Sequence, residues 1–259
     1  CPMSSASPRV LVLAGCGISA DRELAEAFRL AGAAPERVHL FDLLEDPGML
    51  SAFRILALPG GFSFGDHLGA GKVLARLLAS RLRKEMDAFV EGGSLILGVG
   101  NGFQALVKMG ILPNLSGDLA PEVSLIHNGH GLFENRWVPI RANPANHSPW
   151  IRGLDRLLFP VRHGEGRFVA GSPETAEGLL RENRIAFFYD GVNPDGSEMD
   201  VAGITDRSGR VLGMMPHPEG FLFPWNHPRW TRGGVPSVAA GRTIFENAVA
   251  HLRSANRCV

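Results

Sequence analysis

The sequence predicts an α/β fold: a mostly parallel sheet covered by helices on both faces, with β-rich insertions in its second half. Two observations predict it. In the first half, short apolar runs alternate with segments of helical periodicity, and such alternation builds a parallel sheet with crossover helices. In the second half, short strand-like runs are broken by Gly, Pro, Asn and Asp, the residues that interrupt strands with turns.

The elements follow in order. Residues 10–14 form an apolar run ending at Gly15, as a strand buried on both faces would. A helix is expected from Asp21 as its N-terminal cap, with Leu24, Ala27, Phe28 and Ala31 on one face and Gly32 at its end. Residues 38–41, 55–58 and 95–99 read as further strands, and 70–89 carries helical periodicity between the last two. Later strand-like runs occupy 137–140, 157–161, 185–189, 201–205 and 211–215, and 243–252 reads as a closing helix. Residues 8–254 are expected to form one domain. Residues 1–7, with Cys1 and Pro2 ahead of Met3, are expected to be disordered or expression-derived.

Composition narrows the function. Lys+Arg and Asp+Glu both total 26, so the formal net charge is zero and supplies no reason to expect nucleic acid or a membrane as partner. No apolar run approaches the roughly 20 residues of a membrane span, and no secretory pattern opens the chain, so a cytoplasmic location is expected. Three cysteines, two of them close to the termini, fit neither a disulfide framework nor a zinc site, and the nine histidines lack metal-ligand spacing. No metal site is expected.

Three motifs carry chemistry. In Leu95-Ile96-Leu97-Gly98-Val99-Gly100-Asn101-Gly102-Phe103-Gln104 an apolar strand enters a tight turn with glycines at 98, 100 and 102, then a helix. A nucleophile elbow has this shape: the middle residue is held at the strand tip facing a helix N-terminus, whose free N–H groups stabilise a thiolate or a developing oxyanion. The middle residue is Gly100, and the glycines alone fit a plain strand-to-helix turn equally well. In Met215-Pro216-His217-Pro218-Glu219, a histidine two residues before a carboxylate and flanked by prolines suits a general base with the group that orients its ring. In Pro59-Gly60-Gly61-Phe62-Ser63-Phe64-Gly65-Asp66, paired glycines after a strand can turn backbone N–H groups toward an oxyanion, or form only a turn.

With His163-Gly164-Glu165-Gly166-Arg167-Phe168 and Asn193-Pro194-Asp195-Gly196-Ser197, these motifs resemble, in order and over residues 10–252, the glutaminase subunits of phosphoribosylformylglycinamidine synthase. Those are class I glutamine amidotransferases of purine biosynthesis. The resemblance implies a flavodoxin-like sheet whose C-terminal edge carries a Cys-His-Glu triad, and a reaction in which the thiolate releases ammonia from glutamine through a thioester. It implies a large synthetase subunit as partner, with room for a small third subunit. ATP and magnesium belong to that partner, so no cofactor is expected in this chain. Carried over by position, His217 is the base and Glu219 its orienter. Gly61 and Asn101 supply the oxyanion hole, Gln104 and Phe62 contact glutamine, and His163 and Arg167 are interface residues.

The family's cysteine falls on Gly100, which has no nucleophile. Glutamine hydrolysis is therefore expected to be lost. The alternative is a natural pseudo-amidotransferase acting as a binding or regulatory partner. Cys16, in the loop after the first strand, is the one alternative nucleophile, provided its sulfur reaches the His217 ring.

Overall fold

A computed structural model describes residues 7–232 and 239–255. Of the N-terminal stretch 1–7, all but Ser7 lies outside the described residues, as do Cys1 and Cys258. The elements in chain order are β1 (Arg9–Ala14), α1 (Asp21–Leu30), β2 (Ala34–His39), α2 (Leu40–Glu45), β3 (Ile55–Leu58), α3 (Lys72–Arg81), α4 (Arg83–Glu91), β4 (Leu95–Val99) and α5 (Asn101–Lys108). There follow β5 (Val123–Ile126), β6 (Glu134–Ala142), β7 (Arg156–His163), β8 (Arg167–Ala170), α6 (Pro173–Arg181), β9 (Ile185–Tyr189), β10 (Val201–Thr205), β11 (Val211–Met214) and α7 (Gly241–Ala255).

Nine strands form one sheet in the order β2-β1-β3-β4-β11-β10-β9-β6-β7, and β5 pairs with β8 in a separate ribbon. The pairings from β2 through β11 are parallel, and those from β11 through β7 are antiparallel. The alternation of side chains along a strand splits the core in two. Leu11, Leu13, Leu56 and Leu58 face α3, α4 and α5, whereas Val10, Val12, Ile55 and Ala57 face α1 and α7. On that second face Phe28 meets Phe245 edge-on at 5.0 Å, which locks the first helix to the last. Because both faces are covered, the central strands are apolar without interruption, the pattern by which 55–58 and 95–99 were legible.

Several boundaries differ from the sequence reading. The strand expected at 38–41 spans Ala34–His39, and Leu40 and Phe41 begin α2, whose first turn donates the Phe41 N–H to His39 Nδ1 at 3.3 Å. β2 is the sheet edge with only Val38 buried, so its start carries no apolar signal. Asp21 is the first helical residue and not a cap: its carboxylate accepts from Arg37 Nε at 2.6 Å and ties α1 to β2. Residues 70–89 form two helices that break at the buried Leu82.

Candidate functional site

The parallel strands β3, β4 and β11 are neighbours, so the loops leaving their C-terminal ends converge on one sheet edge. At the centre stands Gly100, between the last residue of β4 and the first of α5, with φ 50° and ψ −109°. Few residues other than glycine adopt such a backbone without strain. Its N–H donates to the Met214 carbonyl at 2.9 Å and its carbonyl accepts from Gln104 N–H at 3.0 Å, so the turn is fixed to β11 on one side and to α5 on the other. Gly102 is required by packing: a Cβ there would lie 1.9 Å from the Leu58 carbonyl oxygen.

His217 enters from the end of β11. Its N–H donates to the Pro160 carbonyl at 2.8 Å and its ring is buried. Nδ1–H donates to Glu219 Oε1 at 2.6 Å, which leaves the lone pair on Nε2. That Nε2 is buried without a hydrogen-bond partner, and a Cβ on Gly100 would lie 3.1 Å from it. A side-chain nucleophile at position 100 would stand directly before a general base.

Gly61 and Asn101, expected to supply oxyanion N–H groups, both line the cavity that Gly100 and His217 line. Gly61 bridges to Ile18 in antiparallel fashion, bracketed by Ser19 N–H to Gly60 O at 3.2 Å and Phe62 N–H to Gly17 O at 2.9 Å. In that pairing the N–H of Gly61 points away from Ile18. Asn101 opens α5, where a backbone N–H has no intrahelical acceptor. The Asn101 side chain is fully engaged: Oδ1 accepts from Ser63 N–H at 3.1 Å, and Nδ2 donates to Asp66 Oδ1 and Gln104 Oε1, both at 3.0 Å. Burial raises the Asp66 carboxyl above its ordinary pKa, offset in part by the hydrogen bonds from Gly71 and Asn101. Gln104, expected to contact a ligand, donates through Nε2 to the Glu165 carbonyl at 2.7 Å and so anchors the loop between β7 and β8.

That loop is held from behind by Asn128. Its Oδ1 accepts from His163 Nδ1–H at 3.1 Å and Gly166 N–H at 3.0 Å, while Nδ2 donates to the His163 carbonyl at 2.9 Å. His163, expected at an interface, is only 4% exposed and lines the cavity wall. Burial, then His217 and His130, lowers its pKa to about 3. The ring is thus neutral, and its 3.6 Å separation from Asp195 is not an ion pair. Arg167 starts β8 opposite Ile126, half-buried and without an ion pair among the described residues.

Gly61, Phe62, Gly100, Asn101, Gln104 and His217 share a cavity of about 190 Å³. Cys16 does not line it. Its thiol is shifted up by burial, the opposite of activation, so the structure gives no support to Cys16 as an alternative nucleophile. Sequence reading gave no role to Asp66, His127, Phe133, Arg162 or Glu165, which also line the cavity. Asp66 and Glu165 lay inside quoted motifs, whereas Phe133, which packs 6.2 Å from Phe62, carries no local signal.

Residues 7–252 match the family of CobB/CobQ-like glutamine amidotransferase domains. The phosphoribosylformylglycinamidine synthase subunit PurQ of Dehalococcoides mccartyi is 43% identical, across 95% of this chain and 98% of that one. PurQ of Methanococcus maripaludis strain C7 is 35% identical across 95% and 97%. Among solved structures, PurLQS from Thermotoga maritima superposes with a TM-score of 0.73 at 29% identity, covering 95% of this chain and 99% of that one.

Proposed function

The chain belongs to the PurQ family of glutamine amidotransferases, and on that premise we propose that it is the ammonia-supplying subunit of a phosphoribosylformylglycinamidine synthase whose glutaminase step is stopped at Gly100. The observation that carries this reading is the geometry at the elbow. Gly100 keeps a backbone conformation that would strain a residue with a side chain, and the free Nε2 of the buried His217–Glu219 pair faces its missing Cβ at 3.1 Å.

With a thiol at that place, Nε2 takes the S–H proton and sulfur attacks the glutamine carboxamide carbon. The N–H groups of Gly61 and Asn101 receive the oxyanion. The imidazolium returns the proton to the departing nitrogen, ammonia leaves, and water cleaves the thioester to glutamate. Glu219 orients the ring and stabilises its charged form throughout. Glycine removes the first bond of this sequence, and neither base nor oxyanion hole replaces it. Water attacking directly would be slower by orders of magnitude.

The partner is a synthetase subunit, which holds ATP and magnesium and consumes the ammonia in the cytoplasm; this chain needs no cofactor. No helix among the described residues is long and apolar enough to cross a membrane. The test is the assembled complex assayed with glutamine and with ammonia. Product from ammonia alone is expected, and restored glutamine use is expected with Gly100→Cys. Glutamine-dependent turnover by the chain as it stands would overturn the reading.

A further inference from the structure

Beside the site cavity runs a larger groove, of about 660 Å³, between α3, the end of α5 and β5. All four residues of β5 line it and none of β8 does, which places it along the edge of β5 that β8 leaves open. The register shows what that edge presents. Phe168 and Ala170 of β8 donate their N–H groups to Ser197 Oγ and Glu198 Oε2, both at 2.9 Å, and so away from β5. In an antiparallel pair the residues opposite them also turn their main-chain groups outward. Those residues are Val123 and Leu125, each 2% exposed, whose N–H and C=O groups have no hydrogen-bond partner among the described residues. Buried main-chain groups without partners are rare and costly. The groove is also basic. Lys72 and Arg76, one turn apart on α3, are exposed and make no ion pair among the described residues. Arg83, with Asp87 a turn along α4, donates Nη2 to the Met109 carbonyl, and its Nη1 is buried without a partner. Lys108 completes the set and has Glu165 and Asp66 as counter-charges. Glu165 is the one carboxylate in the lining, in a chain whose formal net charge is zero.

We propose that β5 is a docking edge: an extended acidic segment of a partner protein adds to it as a third strand of the β5–β8 ribbon, with carboxylates at alternate positions on Lys72 and Arg76. Main-chain bonds to Val123 and Leu125 supply the pairing, and the basic side chains select the sequence. Residues opposite Val123 and Leu125 point to the face those side chains bury, which is the side of α3 and α5. Carboxylates two residues apart on a strand are separated by about 7 Å. The four residues from Lys72 to Arg76 rise about 6 Å along the helix, so the two spacings match. Ala75 and Ala79, also lining the groove from α3, carry no bulk that would fill it. Lysine beside an open edge discourages strand pairing in general. Here the same charge repels basic strands and admits an acidic one. The inference goes beyond the glutaminase reading and does not depend on it.

Three blocked hexapeptides test this on the chain as it exists, by fluorescence anisotropy and amide hydrogen exchange. The first alternates glutamate with valine, the second has lysine for glutamate, and the third is the first with its glutamate amides N-methylated. The first is expected to bind at least about tenfold tighter than either of the others at low salt, and more weakly as salt is raised. Its binding should slow exchange of the Val123 and Leu125 amides at least about tenfold, whereas the Ser124 and Ile126 amides, already paired to β8, should change little. Lys72→Glu combined with Arg76→Glu, at two exposed positions, should reverse the preference between the glutamate and lysine peptides. Binding of the first peptide without slowed exchange at Val123 and Leu125 would reduce the groove to an anion site and overturn strand addition. Equal binding of all three peptides, or none, would overturn it as well. So would a concentration-dependent dimer of the chain that protects the same two amides, since a second copy would then be the occupant.

Discussion

Nε2 of His217 lies 3.1 Å from the place a Cβ on Gly100 would occupy, closer than an ordinary van der Waals contact. The ring is held by its Nδ1–H to Glu219 at 2.6 Å, so a side chain at 100 must displace the imidazole by a few tenths of an ångström while adopting φ 50°. Gly100→Cys is therefore expected to cost about 1–3 kcal/mol of stability while restoring the nucleophile. Gly100→Ala should cost a similar amount and restore nothing. Urea unfolding of both variants, with glutaminase assays in the assembled complex, separates strain from chemistry. A Cys variant as stable as the glycine chain would contradict the strain at this elbow.

Glu219 acts through the His217 ring and holds the proton on Nδ1. In the Gly100→Cys background, Glu219→Gln is expected to lower the glutamine-dependent kcat by roughly 10²–10⁴ with a smaller change in KM, because the tautomer is disturbed and the cavity is not. Ammonia-dependent synthesis should be untouched. A change confined to KM would assign Glu219 to binding.

The three motifs legible in sequence, the elbow, His-Pro-Glu and the paired glycines after β3, each lie within a few consecutive residues. The strands β3, β4, β9 and β10 are legible at their full extent because burial on both faces makes them almost wholly apolar, Thr205 at the end of β10 being a buried polar exception. β2 was misplaced because it is an exposed edge, and β5 and β8 escaped because each buries alternate or fewer residues in a two-stranded ribbon. α6 had a local signal, Ser172 before Pro173, and Ser172 does cap it by accepting Thr175 N–H at 3.2 Å. The opposite failure occurred at Asp21, where cap chemistry was read into a residue whose partner, Arg37, lies across the sheet edge. Arg162, Glu165 and His127 meet only because β7, the following loop and β5's exit fold onto the elbow. No spacing in the chain encodes that convergence.

Gly102 and Gly178 both sit in helices, and their substitution should have opposite outcomes. A Cβ on Gly102 would meet the Leu58 backbone at 1.9 Å, and relief requires α5 to move off β3. Gly102→Ala is expected to lose about 3 kcal/mol. On Gly178 the nearest atom is the Leu115 Cδ1 methyl at 3.0 Å, the far end of a side chain that can turn. Gly178→Ala should be neutral or stabilising by up to about 1 kcal/mol through helix propensity. Urea midpoints measure both, and a tolerated Gly102→Ala would contradict the close packing of α5 on the sheet.

His163 should make the fold sensitive to acid. Its pKa falls from 6.5 unfolded to about 3 in the fold, first through burial and then through His217 and His130. Between those values the unfolded chain binds a proton that the folded chain does not, so the contribution is complete above pH 6.5 and is lost as pH falls toward 3. Asp195, 3.6 Å away, works in the opposite sense, because burial raises its carboxyl and the fold retains its proton to higher pH. The comparison of wild type with His163→Asn isolates the histidine. Wild type is expected to lose about 2 kcal/mol more than the variant between pH 6.5 and 4.5, measured by urea unfolding at each pH. Parallel stability profiles for the two proteins would show that His163 takes up its proton in the fold as readily as in the unfolded chain.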